Sequence, residues 1–419
     1  MGGASGRAAQ RTALRFAAPL TLVGLLGALP RARAAGVDPA SPLTLIVGPA
    51  PGFSPMARVD GQRRGQSAAP IPSHPRTLWR RTVRGGLDAT PVAVDARGSV
   101  VAASFHTAEI VQFSADGTEM WRRPTGLAPS ISGVVLLNDG TRMAVTGAGE
   151  AIGFSPTGAL RFRAAVDLLE RTSRIGLLPL EEGGVALAAG AEVIALDAEG
   201  HASFRVRLPE RIQGPLLATR RGLVATTQTG TVYQIHPSFI TSLGDLGGDP
   251  GEAGASTADG TRLLAVVDGQ RVVGMNLANG VVETRWSLPD HSLLGPVGLG
   301  PDGALVASTT AGALLWLAEA GGPPTRAAAD PRPMQPPDAG RTDVAAPDES
   351  PPPLSDTQGR IAWARAGGRL GIIAPDGAVK IVDEPICASP VALVSAGPRR
   401  LVVACRTGSM VMLGDEAAP

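Results

Sequence analysis

Residues 115–121 read Ala-Asp-Gly-Thr-Glu-Met-Trp, a tight polar turn at Asp116 and Gly117 followed four residues later by Trp121. Asp suits such a turn because its carboxylate bonds its own backbone, and Gly because it accepts a positive φ. Weakened copies recur at Thr157, Gly158 and Phe162, and at Glu199, Gly200 and Phe204. Asn279 and Gly280 precede Trp286, two residues later than the spacing requires, while Asp376 and Gly377 keep the turn without the aromatic. One such turn is chance, but a series of them is an architecture.

Two further tracks of turns run beside this one. The first passes through Asp95 and Gly98, Asp139 and Gly140, Gly183, Gly222, Asp259 and Gly260, Asp302 and Gly303, and Gly359. The second passes through His106, Gly149, Gly190, Gly230, Gly269, Gly312, Gly367 and Gly408, and from Gly149 its steps are 41, 40, 39, 43, 55 and 41 residues. A near-constant step of this size is the length of one four-stranded propeller blade. The apolar runs between turns, such as residues 99–104, 184–189 and 400–405, are short, rich in Val, Ala and Leu, and bounded by Gly or polar residues. That pattern is strand rather than helix. With 54 Gly and 37 Pro in 419 residues, long helices are excluded. The expectation is an all-β chain folded as an eight-bladed β-propeller, with seven blades as the alternative.

The one long step has a visible cause. Between residues 321 and 353 the chain turns to Pro pairs with Asp, Ala and Arg among them, a composition that neither buries a core nor donates to a sheet ladder. An interdomain linker is the rival reading, but the turn tracks resume beyond it, so an insertion between blades six and seven is expected. Closure gives an independent check. After Gly408 only residues 410–413 form another apolar run, which leaves the last blade one strand short. Residues 77–83 form an orphan strand that carries Trp79, the aromatic of the repeat. Placed as the fourth strand of the last blade, it closes the ring and removes the open edges.

The N-terminus has its own signature. Arg7, Arg11 and Arg15 precede the uncharged residues 16–29, then come Pro30 and Ala32, Arg33, Ala34. This is the order of a cleavable secretory signal, with cleavage after Ala34 and a periplasmic or extracellular destination. A run of 14 residues falls short of the roughly 20 that a membrane-spanning helix needs. Residues 35–75, rich in Pro, Gly and Ala, read as a loosely held arm in which residues 43–47 form at most one edge strand, and residues 76–419 are the propeller. The whole chain has 38 basic and 37 acidic residues. The signal accounts for five Arg, so the remainder carries 33 against 37 and lacks the basic excess of a nucleic-acid groove. Cys387 and Cys405 are expected to pair in an oxidising compartment, across a hairpin near residues 396–399 whose register then needs a bulge. The alternative is two small buried thiols.

The repeat resembles that of the quinoprotein-like propellers, built from pyrroloquinoline-quinone-type units. Pro91, Pro215, Pro296 and Pro390 stand where that repeat enters its inner strand, and Ala195, Leu196 and Asp197 match its small-apolar-Asp start. Asp60, Arg63, Gly65 and Ser67 resemble the segment that precedes the first blade there. The resemblance spans about residues 76–414. It implies that Trp79, Trp121, Phe162, Phe204 and Trp286 pack between adjacent blades as core. Enzymes of that family oxidise alcohols or aldose sugars with a quinone and Ca²⁺, using a catalytic Asp, acidic and Asn ligands and a stacking Trp, and many carry adjacent cysteines. No adjacent cysteines exist here, and Asp259, Asp268 and Asp302 fall in hairpin turns where Asp is favoured for backbone bonding. His74, His106, His201, His236 and His291 lie far apart, without a His or Cys at ligand spacing. No nucleophile elbow or phosphate loop occurs. No catalytic residue, cofactor or metal is therefore expected.

What remains is surface. By analogy with the family, the loops joining successive blades and those between second and third strands share one face. On them lie His106, Arg122, Arg171, Arg174, Arg211, His291 and Arg406, candidates for a ligand or partner, against the alternative of a solvated rim. The expected function is a non-enzymatic, monomeric, exported scaffold for an envelope or extracellular protein, similar in kind to the propeller lipoproteins of outer-membrane assembly but without a lipid anchor. A quinone- or sugar-dependent oxidoreductase and an extracellular sensor or adhesion module are the alternatives.

Overall fold

The short apolar runs form strands in sets of four. The computed structural model describes residues 52–54, 56, 58, 60, 63–87, 92–170, 175–181, 183–220, 222–251, 254–290, 292–300, 303–310, 313–318, 326–329, 351–364, 369–382, 386–387 and 389–415. All belong to the unit spanning residues 39–419. Blade one is Val92–Val94, Val100–Ala103, Glu109–Phe113 and Glu119–Pro124, paired in that order. The next five blades open with Val135–Leu136, Leu177–Pro179, Leu217–Thr219, Ala255–Ser256 and Leu293–Leu299, and close with Leu160–Ala165, Ala202–Arg207, Phe239–Asp245, Val282–Ser287 and Arg326–Ala329. Blade seven runs from Leu354–Asp356 to Val379–Ile381. Blade eight is Pro390–Ser395, Arg400–Cys405, Ser409–Gly414 and, outermost, Arg76–Thr82. Eight sheets decide between the two blade counts, and among the described residues there is no helix.

First strands are buried and those of neighbouring blades touch one another, whereas fourth strands such as Leu160–Ala165 face largely outward. The ring closes where sequence predicts. Arg76 lies opposite Gly414 and Thr82 opposite Ser409, with a bulge between Thr77 and Trp79.

The turn-and-aromatic repeat is the joint between blades. Trp79, Trp121 and Phe162 each lie over the turn glycine of the next blade, not their own. A Cβ on Gly117 would stand 2.7 Å from the Trp79 ring, one on Gly158 2.6 Å from Trp121, and one on Gly200 2.6 Å from Phe162. These glycines also have φ of +85°, +79° and +83°, a region that side chains disfavour. The indole N–H of Trp79 donates to Ala115 O at 3.1 Å, and that of Trp121 to Pro156 O at 3.0 Å. Two residues on, Arg81 Nε donates to Gly117 O at 2.6 Å and Arg123 Nε to Gly158 O at 2.9 Å. Trp79, Trp121 and Trp286 are buried, and Phe162 and Phe204 are half-buried against the core of blades two to four.

Three expectations are corrected or sharpened. Arg326–Ala329 pairs with Ala313–Leu317 as the outer strand of blade six, so the insertion starts later than residue 321. A run of Arg and Ala carries neither aromatic nor β-branched residues, and its pairing leaves no pattern to read. Much of the remaining insertion lies outside the described residues, as do the signal and residues 43–47. The described part of the arm is docked, not loose. Gln66–Ser67 pairs in parallel with Leu354–Asp356 on its axial edge, and Met56, Ser67 and Ile71 are buried. Cys387 and Cys405 form a disulfide with Cα atoms 6.2 Å apart. Cys387 precedes Pro390–Ser395, and the ladder of that strand with Arg400–Cys405 shifts register between Pro390 and Ala392.

Candidate binding face

One face of the ring is made of the blade-to-blade crossovers and the hairpins between second and third strands. These loops are stitched to one another through their backbones. Thr125 N donates to Ala108 O at 2.8 Å, Gly147 N to Pro129 O at 2.9 Å, and Val166 N to Gly149 O at 2.8 Å. The series continues with Leu208 N to Ala191 O at 2.8 Å, Leu246 N to Gly230 O at 3.0 Å, and Leu288 N to Gln270 O at 2.9 Å. Among the described residues, crossovers are thus bonded to the hairpins beside them, and this part of the face is a hydrogen-bonded belt.

The corner where the ring closes brings two of the candidate residues together. Crossover residues 83–87 take His106 N onto Gly85 O at 3.1 Å and Phe105 N onto Gly86 O at 3.2 Å. From the other side Leu87 N donates to Arg406 O at 3.1 Å, and Val83 N to Gly408 O at 2.8 Å. His106 is exposed, with its ring edge-on to Phe105 at 5.1 Å, and Arg406 is half-buried beside the Cys387–Cys405 disulfide.

Arg122 is placed differently. It sits on the outer strand of blade one between Glu109 and Glu119, with Arg84 on the other oxygen of Glu109 at 3.2 Å. The hydrogen bond between Arg122 and Glu119 chiefly holds the Arg122 guanidinium above its usual range, with the charge of Glu109 adding to it, and holds the Glu119 carboxyl below its own. The same Glu-to-Arg pair recurs as Glu150 with Arg163 at 2.6 Å in blade two and Glu192 with Arg205 at 2.9 Å in blade three. A contact repeated in three successive blades is a rung of the fold. Its role in Arg122 is to tie the third strand to the fourth.

Arg211 lies on the crossover from blade three to blade four and shares Glu170 with Arg207, at 3.5 and 3.4 Å. Its carbonyl accepts from Gln228 N at 3.0 Å, and it does not converge on His106 or Arg406 in sequence or blade. Arg171, Arg174 and His291 lie outside the described residues. The turn aspartates are used by their own turns. Asp259 accepts from Thr257 Oγ1 at 2.6 Å and Thr261 N at 3.1 Å, and Asp268 from Arg271 Nη2 at 2.6 Å, and these bonds hold both carboxyls below the usual range. Among the described residues no three His, Cys, Asp or Glu side chains stand close enough to hold a metal ion.

Two residues of this face were not singled out by sequence. Leu127, on the crossover from blade one to two, is 104% exposed, and Leu169, on the next crossover, is 66% exposed. The hairpin at residues 147–149 lies between them, bonded to both crossovers. The available signal was an isolated Leu set among Gly126, Ala128 and Pro129, where no strand period can bury it.

No protein-family model matches the chain, and no curated protein matches it in sequence. Solved structures do. BamB from Moraxella catarrhalis superposes with a TM-score of 0.58 at 16% identity, over 83% of this chain and 99% of that one. The chain shares the propeller fold. Quinohemoprotein alcohol dehydrogenase from Comamonas testosteroni gives a TM-score of 0.61 at 10% identity, over 89% of this chain and 82% of that one. Sqt1 from Saccharomyces cerevisiae gives 0.63 at 8% identity, over 82% of this chain and all of that one. Identities this low carry the fold and nothing finer.

Proposed function

We propose that the chain is an exported, non-enzymatic propeller that binds an envelope or extracellular protein, as a monomer, through the face of crossovers and second-to-third hairpins. The observation that carries this reading is the exposure of Leu127 and Leu169 on two crossovers flanking one hairpin. Burying one leucine against a partner contributes roughly 1.5–3 kcal/mol. The hydrogen-bonded belt beneath lowers the ordering cost of association. Export is supported by the Arg-led apolar stretch in residues 1–34 and by a disulfide of the kind that persists in oxidising compartments.

The test is site-specific photo-cross-linking in the native envelope at positions 127 and 169, with position 160 on the outer strand of blade two as control. The expected result is one discrete adduct shared by 127 and 169 and missing from 160. Equal labelling at all three, or none at 127 and 169, overturns the reading. The oxidoreductase alternative predicts that quinone with Ca²⁺ raises the melting temperature by mass action. A saturable rise accompanied by substrate turnover would replace the scaffold reading with that one.

A further inference from the structure

The other end of the ring carries the turns between first and second strands, and there the segment ahead of the propeller is bound. Ser54 exchanges two backbone bonds with Val94 of blade one, at 3.2 and 2.7 Å. Arg58 Nη2 donates to Val297 O, and Leu299 N donates to Arg64 O at 2.9 Å, both in blade six. Arg63, itself buried, donates from Nε to Leu216 O at 3.2 Å, at the entry to blade four. Ser355 N of blade seven donates to Gly65 O at 2.8 Å, and Arg399 N of blade eight to Pro70 O at 2.7 Å. Met56 joins the core of blades two to four.

Asp356 adds a backbone reader. It is fully buried in the turn of blade seven, where Oδ1 accepts from Gln358 N at 2.9 Å and Arg360 N at 2.8 Å, and Oδ2 accepts from Ile71 N at 2.7 Å. The segment is also braced within itself, by Arg63 N to Asp60 O at 2.9 Å and Arg64 Nε to Asp60 Oδ2 at 2.8 Å. Arg58 and Arg63 adopt φ of 60° and 54°, a left-handed conformation that a non-Gly residue keeps only when its surroundings over-determine it.

First strands at a propeller axis present unpaired N–H and C=O groups inward, the same kind of edge that peptides use when they add a strand to a sheet. We propose that this axis is a peptide-binding site, selective for a turned, arginine-bearing segment, and that the described residues between Ser54 and Ile71 occupy it in cis. Recognition is by backbone pairing to blades one, six and seven, and by guanidinium donation to inner carbonyls. Occupancy keys five blades across the axis, which the sequential joints around the rim cannot do. The covalent link to the ring passes through exposed His74, so the segment and the ring are separable by one cut.

The experiment uses the full-length protein with a protease recognition sequence inserted at His74. After cleavage the N-terminal fragment is expected to co-elute with the ring. A fluorescent peptide of residues 52–74 then exchanges into the site, and the same peptide carrying Arg63→Ala competes about tenfold more weakly or worse, as loss of a charged hydrogen bond requires. Immediate loss of the fragment with an unchanged unfolding midpoint overturns the proposal, as does equal competition by the Arg63→Ala peptide. Hydrogen exchange on the unmodified chain serves if the insertion prevents folding. The amides of Ile71, Leu299 and Ser355 are expected to be protected as long as those of the blade ladders, and exchange at the rate of exposed backbone refutes the site.

Discussion

Substituting Ala at Gly158 isolates the joint between blades. The added Cβ would lie 2.6 Å from the Trp121 ring, at a φ of +79°. The left-handed backbone costs a non-Gly residue roughly 1–2 kcal/mol. Displacing a packed indole adds about 1–3 kcal/mol of overpacking. If the ring moves, its bond to Pro156 O at 3.0 Å is lost as well, worth about 1 kcal/mol. The sum is about 3–6 kcal/mol. Gly247 supplies the control, because it has nearly the same φ, +77°, and nothing within 4 Å of its imaginary Cβ. Gly247→Ala should therefore cost only the backbone term, roughly 1–2 kcal/mol. Denaturant unfolding of both variants reads the difference. Adding Trp121→Leu should shrink the Gly158→Ala penalty, a coupling of about 1–3 kcal/mol between residues in contact. Equal destabilisation by the two Ala substitutions, or additive behaviour with Trp121→Leu, refutes the idea that the glycine is there for its neighbour's aromatic.

The Glu-to-Arg rungs should differ according to their burial. Glu150 is 33% exposed, so Arg163→Met is expected to cost about 1 kcal/mol or less, whereas Arg205→Met strands a Glu192 that is 4% exposed and should cost about 3 kcal/mol; the two unfolding midpoints check this. Acid should destabilise the turns. The Ser114 hydroxyl first, then Thr118, hold the Asp116 carboxyl at about 2, below its usual 3.8. Its contribution is therefore complete above the unfolded value and lost as pH falls from about 4 towards 2. Asp259 and Asp268, depressed by Thr257 and Arg271, lose theirs in the same direction, and a midpoint unchanged between pH 5 and pH 2 contradicts all three. Replacing Cys387 and Cys405 by Ser removes a link across 18 residues, with an expected loss of about 3 kcal/mol measured by denaturation.

The ring was legible because it repeats. Gly149, Gly190 and Gly230 announce the blade length, and Trp79 ahead of the first blade announces the closing strand. What repetition could not say is which blade an element serves. Within the repeat, Gly158 and Phe162 look like partners, yet Gly158 answers to Trp121 and Phe162 to Gly200. The docking of Gln66–Ser67 was illegible for the opposite reason. It is a single strand with no period, held by Asp356 and by inner backbone groups that no pattern of its own sequence records. Arg122 looked like a surface charge because Glu109 stands 13 residues away, and only the folded hairpin makes them neighbours. Leu127 and Leu169 escaped notice since a lone apolar residue among turn formers gives only a faint signal until burial is known.

The pairing of Arg76–Thr82 with Ser409–Gly414 also sets an order of events. Among the strands of the ring, Arg76–Thr82 leaves the ribosome first and its partner last. Until then blade eight has no outer strand, and the turn of blade one, at Gly117, waits uncovered for Trp79. Completion of the ring is thus timed by the arrival of the final strand. A chain stalled or clipped before residue 409 would display both a bare sheet edge and an unpacked indole, an invitation to pair with other chains.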